Sequence, residues 1–139
     1  MMDSGPSASR NRSLASRVLI VDDNVDAADT LADLLQLHGY ATHACYGEQQ
    51  ALDAARIAAP DIVILDICMP ERGGHVLARQ IRALLPDVLL IAFTGFSRAE
   101  DIERSLRSGI DEHWVKPMNA MAFSRALAAA RERRMRSRC

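Results

Sequence analysis

Several polar side chains stand directly after short apolar runs, and their types could bind a divalent metal ion and an anionic group. The apolar runs have the length and composition of buried β-strands. In an open sheet of parallel strands, ligands bind outside the carboxyl ends of the strands, so we expect the side chains that follow these runs to share one crevice. They are Asp22 and Asp23 after VLIV (18–21), Asp66 after IVIL (62–65), Thr94 after VLLIAF (88–93) and Lys116 after HWV (113–115).

The three aspartates predict a metal site. Carboxylates gathered in one crevice repel one another, and at least one should stay protonated unless a cation intervenes. A small set of hard, partly solvated oxygen ligands fits Mg2+ better than zinc. Adjacent strand residues point to opposite faces, so Asp22 and Asp23 can both reach the ion only if the first strand ends before them. The alternative, that these two residues and Asn24 only cap the next helix, accounts for neither Asp66 nor Lys116.

Lys116 is the only lysine among the 17 lysine and arginine residues of the chain. An ammonium is a compact charge on a flexible stem that can advance onto one oxygen, whereas a guanidinium is a planar fork suited to bidentate pairing. That difference matters if Asp66 is a nucleophile that carries a phosphoryl group, because the added negative charge needs a nearby cation. Thr94 would donate its hydroxyl to a second phosphoryl oxygen. Pro117 would fix the backbone beside the lysine, with a cis bond as one way of doing so.

The strand-like runs alternate with segments of helical period, which predicts an α/β fold. A weaker run, ATHAC (41–45), supplies the second of five strands, and a helix follows each strand. Right-handed crossovers then require a parallel sheet. Runs that are apolar on both faces indicate a sheet covered by helices on both sides. We expect a flavodoxin-like (βα)5 three-layer sandwich with strand order 2-1-3-4-5, in which strands 1 and 3 flank the crevice.

Apolar spacing predicts which helix faces are buried. The first helix has Asn24 as its N-cap and Gly39 as its stop, and Gly109 ends the fourth helix, whose inner face is sparse. The predicted inner faces are Leu31, Leu34, Leu35 and His38 in the first helix, Leu77, Ile81, Leu84 and Leu85 in the third, Ala99, Ile102 and Leu106 in the fourth, and Ala120, Phe123 and Leu127 in the last.

Composition bounds the class of protein. With 139 residues and a net charge of −1, the chain predicts one domain and argues against a general nucleic-acid or membrane-surface binder. It contains no apolar run near the roughly 18 residues that span a bilayer. Three cysteines without CxxC spacing fit a reducing cytosol, so we expect a cytoplasmic protein.

Three segments divide the chain. Residues 1–16 are polar and lack the apolar region of a signal peptide, which predicts a disordered leader. Residues 17–130 form the domain, and residues 131–139 are a basic tail that begins RERRMRSR. Three interpretations of this tail stay open. It is the end of the last helix, where cations suit the helix dipole, or a linker to a further domain, or a weak contact with a polyanion.

Four motifs, in their order and spacing, resemble the receiver domain of two-component response regulators. They are LIVDDN (19–24), ILDICMP (64–70), AFTG (92–95) and WVKP (114–117). The resemblance covers nearly the whole predicted domain. It implies a phosphorylation-activated switch in a two-component phosphorelay, in which Asp66 accepts a phosphoryl group from a partner histidine kinase or histidine phosphotransfer protein.

The resemblance also implies roles for the other site residues. The three aspartates would bind Mg2+, or Mn2+ in its place, together with the backbone carbonyl of Cys68. Thr94 and Lys116 would contact the phosphoryl group. Activation would draw Thr94 inward and reorient an aromatic residue three positions before Lys116, where this chain has His113 instead. It would remodel the face formed by the fourth helix, fifth strand and fifth helix, through which the domain binds an effector protein or dimerises.

Two other functions compete with a switch module. A Mg2+-dependent phosphohydrolase would use Asp66 as its nucleophile, but such enzymes often carry a second aspartate two residues later, where this chain has Cys68. A phosphorylation-independent interaction module would leave the acidic site vestigial, which the intact set of polar residues argues against. We therefore expect no enzyme beyond Mg2+-dependent self-phosphorylation and self-dephosphorylation. The receiver would either stand alone or come from a hybrid histidine kinase.

Overall fold

A computed structural model describes residues 16–67, 74–95, 103–104 and 106–138. The leader residues 1–15, Cys68, Ala99, Ile102 and Cys139 lie outside the described residues, and so do the predictions made for them. In chain order, the described elements are β1 (Arg17–Val21), α1 (Val25–Leu37), β2 (Ala41–Cys45), α2 (Glu48–Ala58), β3 (Ile62–Leu65), α3 (Gly74–Leu84), β4 (Leu89–Thr94), the helical residues 103–104 and 106–107, called α4, then β5 (Glu112–Val115) and α5 (Ala120–Arg138).

The five strands form one parallel sheet in the order β2-β1-β3-β4-β5. This confirms the predicted strand order, and every strand starts and ends within one residue of its predicted bounds. The chain adds β2 on one side of β1 and then β3 on the other side, so the strand order reverses between β1 and β3 and a crevice opens beyond their carboxyl ends. The two central apolar runs are buried along their length, with Val18 to Val21 and Ile62 to Leu65 at most 2% exposed.

Helices cover both faces of the sheet because successive strand residues point to opposite sides. Leu19, Val63 and Leu90 pack with α2 and α3 in one core layer. Ile20, Ile64 and Ile91 pack with α1 and α5 in the other layer. The predicted three-layer sandwich is confirmed.

The buried face of α1 agrees with the predicted one only in part, since Leu35 is fully buried and Leu31 is partly buried against the core. Its fully covered residues are Ala28, Ala32 and Leu35. Leu34 lies at the edge of this face. His38 is exposed because α1 ends at Leu37 and His38 is its C-cap. The predicted N-cap is confirmed, since the Asn24 side chain accepts a hydrogen bond from the Ala27 backbone N–H.

Three further predicted inner positions are wrong. Leu84, the last residue of α3, is 38% exposed. Leu106 of α4 is 50% exposed. Ala120 is exposed at the start of α5, where the buried residues are Phe123, Leu127 and Ala130. Single exposed apolar side chains are common on protein surfaces, and the other predicted inner residues of α5, Phe123 and Leu127, are buried as expected.

The basic segment belongs to α5, which is helical through Arg138. Two of its arginines pair with acids of the domain. Arg133 forms a bidentate contact with Glu112 at 2.6 Å and 2.7 Å, and Arg134 lies 3.3 Å from Asp111. The guanidinium of Arg131 stacks 5.4 Å from the centre of the Tyr40 ring. No helix among the described residues combines the length and the apolar content that crossing a bilayer requires.

Gly74 begins α3 at a point where the helix presses against the backbone that follows β3. A Cβ atom added there would lie 2.2 Å from the Ile67 Cα atom and 2.9 Å from the Ile67 carbonyl carbon. Gly74→Ala should therefore lower the free energy of unfolding by about 1–3 kcal/mol, the usual cost of overpacking, as measured by urea denaturation. Gly47→Ala is the matched control, since its Cβ would meet no heavy atom within 4 Å. An equal loss in both variants would contradict the steric argument.

Candidate functional site

Asp22 and Asp23 leave the sheet together because β1 ends at Val21. The Asp22 backbone N–H donates to the Cys45 carbonyl at 3.0 Å, and the Asp22 carboxylate accepts from the Asn24 N–H at 3.0 Å. Asp22 is 6% exposed, whereas Asp23 is exposed at the rim. Burial raises the pKa of the Cys45 thiol to about 11, so this neighbour of the site is a protonated packing group. The prediction that the strand ends before both aspartates is confirmed.

Asp66 joins them from the adjacent strand. It follows β3, and its backbone N–H donates to the Val21 carbonyl at 2.9 Å, which aligns the ends of β3 and β1. Carboxylate oxygens of Asp22, Asp23 and Asp66 lie within 4.8 Å of one another. Three such oxygens from one buried, one partly buried and one exposed residue fit a partly solvated Mg2+ better than a closed zinc site.

Lys116 reaches across the crevice to the acids. Its ammonium nitrogen lies 2.9 Å from an Asp22 oxygen and 3.7 Å from an Asp66 oxygen. This cation offsets part of the mutual repulsion of the carboxylates. The Lys116 backbone N–H donates to the Thr94 carbonyl at 2.8 Å, and the bond between Lys116 and Pro117 is cis. The structure thus brings together Lys116 and the acids that the sequence singled out.

The remaining predicted residues lie around this centre. Thr94 ends β4 and is 1% exposed. His113 is partly buried on β5 and pairs in register with Ala92 of β4. Cys68, the predicted backbone ligand, lies outside the described residues.

Sequence reasoning missed a largely apolar cavity that Asp22 and Asp66 help to line. Its volume is about 520 Å³, and it lies between α1 and the segment that follows β5. Phe93 and Met118 line it, and the Lys116 ammonium lies 5.5 Å from the centre of the Phe93 ring. The available signal was the aromatic residue directly before Thr94, at the end of a strand. The other lining residues are Ile20, Val21, Asp22, Asn24, Asp26, Ala27, Thr30, Leu31, Leu34, Ile64, Asp66, Lys116 and Pro117.

Mg2+ should raise the thermal midpoint of unfolding, because an ion that binds only the folded acids stabilises them by mass action. At a free Mg2+ concentration ten times the Kd, the gain is about 1.4 kcal/mol. Asp23→Asn should remove most of this gain, since it deletes one ligand without touching the contact between Asp22 and Lys116. Asp33→Asn is the matched control, because Asp33 is an exposed acid of α1 outside the cluster. An equal Mg2+ response in both variants would place the ion elsewhere.

Comparison with known proteins finds a family model and curated relatives that match most of the chain. Residues 18–128 match the family model described as the response regulator receiver domain. The chain is 36% identical over 104 residues to the transcriptional regulatory protein CreB of Escherichia coli. The aligned region covers 73% of this chain and 44% of CreB. It is 31% identical over 110 residues to an uncharacterised 14.6 kDa protein of Leptolyngbya boryana, covering 78% of this chain and 84% of that protein. The chain thus spans less than half the length of CreB.

Solved structures share the fold. A CheY-like response regulator receiver domain protein from Methanospirillum hungatei superposes with a TM-score of 0.82 at 24% identity, covering 88% of this chain and 98% of that one. The non-phosphorylated HemR receiver domain from Leptospira biflexa superposes with a TM-score of 0.75 at 26% identity, covering 83% of this chain and 93% of that one.

Proposed function

Since the chain belongs to the response regulator receiver domain family, we propose that it is a phosphorylation-controlled signalling switch. Asp66 accepts a phosphoryl group from the phosphohistidine of a histidine kinase or a histidine phosphotransfer protein. The observation that supports this most directly is the position of the Lys116 ammonium, 2.9 Å from Asp22 and 3.7 Å from Asp66. A mobile cation beside the acceptor carboxylate is what an added phosphoryl group requires.

The reaction is a displacement at phosphorus. An Asp66 carboxylate oxygen attacks the phosphorus atom, an O–P bond forms, and the P–N bond to the donor histidine breaks with its electron pair left on the imidazole nitrogen. A divalent ion held by Asp22, Asp23 and Asp66 would neutralise charge on the transferring oxygens. Lys116 moves from Asp22 onto one phosphoryl oxygen, and the Thr94 hydroxyl donates to another.

The apolar cavity supports docking of a phosphodonor beside Asp66. Leu31 and Leu34 of α1 line it on one side, and Pro117 and Met118 line it on the other. An apolar concave surface next to the acceptor can hold a partner helix while its phosphohistidine reaches the carboxylate. This arrangement orients the two reacting groups, which lowers the entropic cost of transfer.

A second surface suits the output of the switch. Leu106 of α4, Val115 of β5 and Met121 of α5 are 50%, 45% and 59% exposed. Exposed apolar side chains of this kind are what an effector protein or a second copy of the chain would pack against. Changes at Thr94 reach this surface through β5, which pairs with β4 from Ile91 to Thr94.

Phosphotransfer tests the proposal. A histidine phosphotransfer protein carrying labelled phosphohistidine is mixed with the full chain in Mg2+ or in excess chelator, and intact-protein mass spectrometry counts phosphoryl groups. The expected result is one acid- and base-labile phosphoryl group in Mg2+ and none in chelator. Steady turnover of a small phosphoester such as p-nitrophenyl phosphate, without a stable phosphoprotein, would instead identify a phosphohydrolase. Partner binding that is equally strong with and without the phosphodonor would identify a phosphorylation-independent interaction module with a vestigial acidic site.

A further inference from the structure

Three aromatic rings connect the site to the last helix on the side of the sheet that faces α1 and α5. The ring centroids of Phe93 and Phe123 lie 5.0 Å apart at an interplanar angle of 66°, and those of Trp114 and Phe123 lie 5.4 Å apart at 83°. Both pairs have the edge-to-face arrangement that aromatic quadrupoles favour. These three residues are called the aromatic triad below. Phe123 is 1% exposed, whereas Phe93 and Trp114 are partly buried, so the triad runs from the core towards the surface.

The triad meets the site at Phe93. The Lys116 ammonium lies 5.5 Å from the centre of the Phe93 ring, within the range of cation–π attraction. Two carboxylates, from Asp22 and Asp66, contact the same ammonium. The ring and the two acids therefore share one cation, and movement of the ammonium towards either acid alters its interaction with the ring.

The triad meets α5 twice. Phe123 belongs to α5, and the Trp114 indole N–H donates to a Glu112 carboxylate oxygen at 3.1 Å. Both Glu112 oxygens also accept hydrogen bonds from the Arg133 guanidinium, at 2.6 Å and 2.7 Å. The indole, the carboxylate and the guanidinium form a continuous set of contacts from β5 to the basic end of α5.

We propose that Phe93 is a positioning residue for Lys116, and that the aromatic triad transmits the displacement of Lys116 to α5. The inference rests on the proposed function, since a phosphoryl group on Asp66 is what displaces the lysine. It adds a route by which a change at the site reaches α5, through the core layer between the sheet and the helices α1 and α5. His113 and Trp114 pair with Ala92 and Phe93, so they point to opposite faces of β5. The route through Trp114 is therefore distinct from any route through His113.

Trp114 fluorescence tests the proposal, because Trp114 is the single tryptophan of the chain. The full chain is titrated with beryllofluoride, which occupies the phosphoryl position on a carboxylate, in the presence of Mg2+. We expect a change in Trp114 emission in the wild type, loss of most of this change in Phe93→Leu, and its recovery in Phe93→Tyr. The rate constant for phosphorylation by acetyl phosphate should fall about two- to fivefold in Phe93→Leu, the range expected for loss of one cation–π contact.

Two controls separate positioning from packing. Tyr40→Leu removes a ring of the same core layer that lies outside the triad, and it should keep the wild-type emission change. Glu112→Gln keeps an acceptor for the indole but removes the charge that pairs with Arg133. Hydrogen exchange along α5 should then lose its response to beryllofluoride, while the emission change at Trp114 persists.

Fluorine-19 NMR of bound beryllofluoride reports occupancy of the site independently of Trp114. If the fluoride complex forms in the wild type but Trp114 emission stays constant, the triad does not transmit the displacement. If Phe93→Leu keeps the full emission change and the full phosphorylation rate, the proposal is overturned, whatever the stability of that variant. If neither beryllofluoride nor acetyl phosphate modifies the wild type, the proposed function itself fails.

Discussion

Asp66→Asn should abolish phosphoryl incorporation from both acetyl phosphate and phosphohistidine donors. The amide has no anionic oxygen to attack phosphorus, and it removes one of the three carboxylates that lie within 4.8 Å of one another. Intact-protein mass spectrometry after a saturating incubation in Mg2+ measures the result. We expect full single incorporation in the wild type and no detectable incorporation in the variant.

A stability measurement and a matched control variant test whether the loss of incorporation is specific to Asp66. Loss of one charge from a repelling acidic cluster should leave the free energy of unfolding within about 1 kcal/mol of the wild-type value, or raise it. Asp53→Asn is the control, because Asp53 is an exposed acid of α2 that pairs with Arg56 at 3.2 Å and lies away from the cluster. Phosphoryl groups that persist on another residue of Asp66→Asn would refute the assignment of the acceptor.

Lys116→Arg should separate folding and metal binding from signalling. A guanidinium keeps the charge opposite the acids, so we expect the variant to fold and to bind Mg2+. It cannot advance as a point charge onto one phosphoryl oxygen, because its planar fork fixes the direction of its donors. Beryllofluoride should therefore change amide hydrogen exchange in β5 and α5 of the wild type, with little or no change in the variant.

Arg136→Lys is the reciprocal control for the exchange of one cation for another. Arg136 lies on the exposed face of α5, where it pairs with Glu132 at 3.2 Å, and such surface pairs contribute about 0–1 kcal/mol. We expect this variant to respond like the wild type. A normal exchange response in Lys116→Arg would undo the explanation of the single lysine, whereas loss of Mg2+ binding would point to a damaged site.

The strands and the site could be predicted from the sequence because both depend on local patterns. Apolar runs such as Ile62–Leu65 are buried on both faces, and their ends align wherever parallel strands pair in register. Once the strand order is known, we expect Asp22, Asp66 and Lys116 at the same end of the sheet, beyond the carboxyl ends of β1, β3 and β5. The grouping of these acids with the lysine therefore follows from residue type and position alone.

Long-range side-chain contacts could not be predicted in this way. The Arg82 guanidinium donates to the carbonyls of Gly109 and Val88 at 2.8 Å and pairs with Asp111 at 2.7 Å. It joins the end of α3 to the start of β5, yet the partners are up to 29 residues apart, with no periodic signal between them. The same holds for the edge-to-face contacts of Phe123, since helical spacing predicts that this ring is buried but not which rings it touches.

The alternation of side chains along β5 has a consequence for single substitutions. His113 and Trp114 are consecutive in the chain but point to opposite sides of the sheet. A substitution at one of these positions acts directly on the layer that its side chain faces, and not on the layer across the strand. Single substitutions at positions 113 and 114 can therefore alter the two faces of β5 separately, without changing Asp22, Asp23 or Asp66.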